Sequence, residues 1–152
     1  MRAINHALTG AVIGLSITSP AVALPAALLS HFALDMVPHF GTEGDAVGGK
    51  RFRNWLIADA LLCVALVAFL LVVRPHYWWL AAVCAFVAAA PDLASAPRFF
   101  ALQRGQRYQT ASTFIRLAKR IQWFERPIGA VVELTWFGAA VVVLASILWP
   151  NR

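Results

Sequence analysis

His31, Asp35 and His39 recur at every fourth residue of HFALDMVPHF, residues 31–40, at the end of an otherwise apolar run. On a helix a step of four residues turns about 400°, so the three form one stripe that drifts by only about 40° per step. Neighbouring members of such a stripe can hold one small object between them. Imidazole nitrogen with carboxylate oxygen suits Zn, Mn, Fe or Ni, and the lack of cysteine ligands argues against a Cys-rich structural zinc site.

Four more ionisable residues stand in apolar surroundings: His6 near the start, Asp59 in NWLIADALL, Asp92 in AAAPDLAS and Glu133 in GAVVELTW. A carboxylate at the centre of a membrane helix costs roughly 2.5–3.5 kcal/mol on an insertion scale. No Lys or Arg lies in the body of these apolar segments to offset that cost. Protons, basic side chains reaching in from the ends, or a bound cation must do so, and a divalent metal fits the ligand types best. The expected ligands are His6, His31, Asp35, Asp59 and Asp92, around one or two ions, with zinc ahead of manganese or iron. His39 and Glu133 are the expected proton carriers.

Each residue also has a plainer role. Asp35 can bond a neighbouring imidazole, Asp92 can cap a turn broken by Pro91, and His39, beside Pro38, can be an interfacial histidine. Glu133 can pair with Arg126. Asp59 has apolar neighbours on both sides and no cap to make within its own helix. His76, in RPHYWW, reads as a boundary residue outside the site.

The elements that must position these groups follow from composition. Of the 152 residues 61% are hydrophobic and 13% charged, with a mean hydropathy of +0.70, which is the profile of an all-α integral membrane protein. The chain reads as one membrane domain of five embedded helices at about 3–19, 20–40, 54–73, 77–96 and 127–149. TSPA, 18–21, makes the first two a hairpin, and GTEGDAVGGKRFR, 41–53, is a polar loop without P-loop spacing. Residues 98–126 interleave aromatic and aliphatic residues with Arg and Lys, as a basic interfacial amphipathic helix does.

With the N-terminus in the cytoplasm, eleven of the thirteen Lys and Arg fall inside and only Arg74 and Arg152 outside. That asymmetry places the C-terminus outside. It also accounts for the net charge of +6 as membrane orientation and affinity for anionic inner-leaflet lipids, so nucleic acid is not an expected partner. Trp78, Trp79 and Trp149 form an outer aromatic belt, with Trp55 and Trp123 near the inner interface. On this topology His6, His31, Asp35, His39, Asp59, Asp92 and Glu133 share one inner-leaflet layer. Gly10 and Gly14 in GAVIG have helix-packing spacing that allows a homodimer. Cys63 and Cys84 read as small buried hydrophobes.

His6, the HxxxD of His31 and Asp35, and the PD of Pro91 and Asp92 together resemble the membrane-bound metal-dependent hydrolases of bacterial inner membranes. The resemblance covers mainly residues 1–95 and implies a helical membrane protein with a His/Asp metal centre. The expected activity is hydrolysis of a phosphoester or lipid at the cytoplasmic side, by water that the metal acidifies toward a pKa of about 7. Two rival classes are a proton or metal-ion transporter and a noncatalytic membrane scaffold.

Overall fold

A computed structural model describes residues 1–40, 49–106, 113 and 128–150, omitting the side chains of residues 98 and 102; among them the secondary structure is helical, with no strand. The helices are α1 (Ala3–Ser16), α2 (Pro20–Asp35), α3 (Lys50–Val73), α4 (Trp78–Ala89), α5 (Ala96–Gln103) and α6 (Gly129–Leu148), with a 3-10 segment, Ala90–Ser95, joining α4 to α5. Residues 41–48 of the loop expected at 41–53, and most of the expected amphipathic segment, including Trp123 and Arg126, lie outside the described residues. α5 covers the start of that segment.

Proline chemistry sets several boundaries. Pro20 occupies the first turn of α2, where its missing N–H is no loss. α2 ends at Asp35, earlier than the expected residue 40, because Pro38 disfavours helical geometry at the residue before it. α4 passes into 3-10 geometry at Ala90, next to Pro91, and so ends short of residue 96. α3 begins at Lys50 rather than 54, since nothing in KRFR interrupts a helix.

Three segments, Lys50–Val73, Trp78–Ser95 and Gly129–Leu148, are long and apolar enough to cross a membrane. The first two helices, of 14 and 16 residues, are apolar but shorter than the roughly 20 residues a full span needs. Large apolar side chains cover the outside of the long helices, among them Leu61, Val64 and Val72 on α3 and Leu134 and Val142 on α6, each more than 60% exposed. Such a surface fits a lipid environment and would be costly in water. Ser30, Thr135 and Ser146 donate to carbonyls one turn back in their own helices, so these hydroxyls are satisfied within the helix that carries them.

α1 is the central helix and packs against α2, α3, α4 and α6. Its Gly10 and Gly14 lie against the α4 backbone at Cys84–Ala85 and Leu80–Ala81. The face whose spacing allows a dimer is thus occupied by a helix of the same chain. The core at this level is wholly apolar: Ala7, Leu8 and Ala11 meet Leu66, Leu70, Ala81, Ala85 and Leu144. Leu70 has no exposed surface. Leu70→Ala is expected to cost about 2–5 kcal/mol, measurable as a lower melting temperature in detergent.

Candidate metal centre

The ionisable residues gather at one end of this bundle. α1, α3 and α6 run away from that end and α2 and α4 run back toward it, which brings the start of α1, the end of α2 and the end of α4 together. His6, His31 and Asp35 are 0%, 3% and 2% exposed, and one ligand atom from each lies within 4.8 Å of the others. A buried group of this composition could hold a metal ion.

Asp35 stands between the two imidazoles. Its Oδ1 is 3.2 Å from His6 Nε2 and its Oδ2 is 3.3 Å from His31 Nε2. Bonds of about 2.0–2.1 Å in a tetrahedral zinc site put adjacent N and O ligand atoms about 3.3 Å apart. The two rings lie 4.1 Å apart, centroid to centroid, tilted by 30°. Oδ1 also accepts a 2.6 Å hydrogen bond from the α-amino group at Met1, so a cation already faces this carboxylate.

The histidines are held in different ways. His31 Nδ1 is 2.8 Å from the Ala88 carbonyl, which can only accept, so Nδ1 carries the proton. In a neutral imidazole this leaves Nε2 as a lone pair turned toward Asp35, the arrangement metal-binding histidines use. Pro91 favours this contact, because in 3-10 register residue 91 is the donor for Ala88 and proline has no N–H to give. His6, by contrast, has no hydrogen bond at either ring nitrogen although it is fully enclosed. Its Nε2 is close to Asp35 Oδ1 but off the line of a hydrogen bond, as two ligands aimed at a third atom would be.

Asp92 stands at the margin. Its Oδ1 is 4.0 Å from His31 Nε2 and its side chain is 33% exposed, so it faces the centre from the edge of the bundle. It is not the N-cap of the turn that follows the break, a position Ala89 holds, but lies inside the 3-10 segment, where its carbonyl accepts from Ser95 Oγ.

The other expected members are engaged elsewhere. Asp59 turns both oxygens to the start of α1, Oδ2 accepting from Ala3 N at 2.8 Å and Oδ1 from Ile4 N at 3.1 Å. Glu133 accepts from Arg2 N at 3.2 Å and pairs with Arg2 Nε at 3.3 Å, while the Arg2 guanidinium lies 4.2 Å over the Trp55 ring. His39 is buried with Nδ1 2.9 Å from the Val37 carbonyl, and its backbone lies against Gly129 at the start of α6. Neither Asp59, Glu133 nor His39 belongs to the three-residue group. An apolar hollow of about 160 Å³ between α1 and α6, beside Thr9 and Trp136, is lined by no ionisable side chain.

Sequence reasoning did not anticipate the roles of Ala88, Arg2 and the α1 amides. One signal was available: Arg2, at the N-cap of α1, has no side-chain acceptor for the first amides, so acceptors had to come from elsewhere. No family model, curated protein or solved structure matches this chain.

Proposed function

We propose that the protein is a membrane-embedded metal-dependent hydrolase acting on a phosphoester or lipid at the cytoplasmic side of a bacterial inner membrane. The observation that carries this reading is the buried His6, His31 and Asp35 group, with one nitrogen of His31 fixed by the Ala88 carbonyl and His6 without a hydrogen bond. Its resemblance to the membrane-bound metal-dependent hydrolases rests on the same residues together with Pro91 and Asp92. All five long or intermediate helices, α1–α4 and α6, are taken to be embedded, with the N-terminus inside.

A divalent ion, zinc by ligand preference, would supply a Lewis acid and an acidified water. His6, His31 and Asp35 would hold it. Asp92, the most exposed of the candidate ligands, is placed to complete the shell or to accept the proton that the attacking water loses. The lysine and arginines at the start of α3, Lys50, Arg51 and Arg53, would draw an anionic substrate or lipid headgroup to this end.

Transport is the weaker reading, because the core beyond the site is apolar at Leu66, Leu70, Ala81 and Leu144 and offers an ion no continuing polar path. The two readings separate experimentally. Protein purified without chelator is expected to carry near-stoichiometric metal by elemental mass spectrometry and to cleave a phosphoester in detergent, where no gradient exists. Chelation should abolish turnover and, for metal held at 100 times its Kd, remove about 2.7 kcal/mol of stability. Metal-free protein that stays metal-free after resupply would overturn the proposal.

A further inference from the structure

We infer that Asp59 is a positioning residue, which sets the place of His6 by capping the helix that carries it; the inference rests on the reading of His6, His31 and Asp35 as a metal centre. The first four N–H groups of an α-helix have no acceptor within the helix. Arg2, at the N-cap of α1, supplies none from its side chain. Asp59, on α3 and 8% exposed, takes the amides of Ala3 and Ile4, one on each oxygen. Glu133, on α6, takes the amide of Arg2.

Two oxygens of one carboxylate on two consecutive amides fix both the height of a helix start and its rotation about its axis. The negative charge also meets the positive end of the α1 dipole. His6 lies within one turn of these amides, so its Cβ direction follows directly from them. No hydrogen bond of good geometry holds the His6 ring; its Nε2 only stands 3.2 Å from Asp35 Oδ1, off the line of such a bond. Its aim at Asp35 therefore depends on where α1 is set and on the packing of the His31 ring beside it. Asp59 thus acts on the centre through α1 and not as a ligand.

Cobalt(II) titration of the full chain in detergent, followed by ligand-field absorption, tests this. Asp59→Ala is expected to weaken cobalt binding by about 10–100-fold, the effect usual for an outer support of a metal ligand, with the absorption bands of the bound ion unchanged. Asp59→Asn keeps an acceptor oxygen and should recover most of the affinity. Leu70→Ala, which destabilises the same helix without touching α1 amides, should melt lower yet bind cobalt as the wild type does. Imidazole nitrogen NMR of the metal-free protein gives a readout independent of the ion: the His6 signals, assigned with His6→Gln, should move in Asp59→Ala, stay near their wild-type place in Asp59→Asn, and leave those of His39 and His76 unchanged.

Loss of cobalt in Asp59→Asn as complete as in Asp59→Ala, with shifted bands in any residual complex, would make Asp59 a ligand and overturn the inference. Unchanged affinity and unchanged His6 signals in Asp59→Ala would overturn it equally. If the wild type binds no cobalt, the metal reading fails, and the His6 signals alone decide whether Asp59 positions that ring.

Discussion

Asp35→Ala is expected to abolish metal binding and turnover and to destabilise the bundle by about 3–5 kcal/mol, the usual cost of removing one partner from a buried ionic group. Asp35 is 2% exposed and sits among His6, His31 and the amino group at Met1. Alanine would leave the buried amine without its counter-charge and both imidazoles without the oxygen between them. Asp35→Asn should keep the shape and part of the stability while still losing the metal, because a neutral amide is a far weaker ligand. Elemental mass spectrometry and thermal melting in the same detergent separate the two losses. A folded Asp35→Ala protein that keeps its metal would remove Asp35 from the centre.

Gly14→Val is the second large effect expected, with Gly10→Val close to it. A Cβ at Gly14 would lie 2.6 Å from Ala81 Cα and 2.7 Å from the Leu80 carbonyl oxygen, and one at Gly10 would lie 2.9 Å from Ala85 Cα. These obstacles are backbone atoms, so no rotamer change can relieve them. Overpacking of a tight core costs about 1–3 kcal/mol and sometimes more, and contact of backbone with side chain belongs at the upper end. Because α1 carries His6, the displaced helix should also lose metal affinity. Melting and cobalt titration of Gly14→Val measure both consequences. A variant with wild-type melting would show that α1 and α4 do not depend on this close approach.

Much of the candidate site was legible because its signals are local. The four-residue step from His31 to Asp35 needs only helix geometry, and Pro91 before Asp92 marks the break that favours the Ala88 carbonyl for His31. The shared depth of the ionisable residues followed from counting along each apolar segment. Asp59 illustrates what such counting cannot reach. Within its own helix it has no capping role, as its apolar neighbours imply, yet it caps a helix that is 55 and 56 residues distant in sequence. Glu133 likewise meets Arg2, 131 residues away, whereas the expected neighbour Arg126 lies outside the described residues. Hydropathy also overextended the first two helices, because it reports apolar length and not the turn imposed by Pro38 or by the short link before Pro20.

The match between Asp59 and the start of α1 has a consequence for the level of the site. Asp59 is the tenth residue of α3, so nine residues of that helix, about 13 Å at 1.5 Å per residue, rise past the point where α1 begins. At the other end the two helices finish nearly flush, since thirteen residues beyond Ala3 and beyond Asp59 lead to Ser16 and Val72, each within one residue of its helix end. The whole mismatch in length therefore falls on the side of the metal centre. If α3 spans the bilayer, His6, His31 and Asp35 lie buried well below the level at which α3 starts, on the side where its first turns, KRFRNW, are amphiphilic. A membrane that thinned to meet the shorter helices would bring headgroups and water closer to these residues. Under the proposed hydrolysis of a lipid-borne ester, such thinning would shorten the path that ester and water must travel to the buried group.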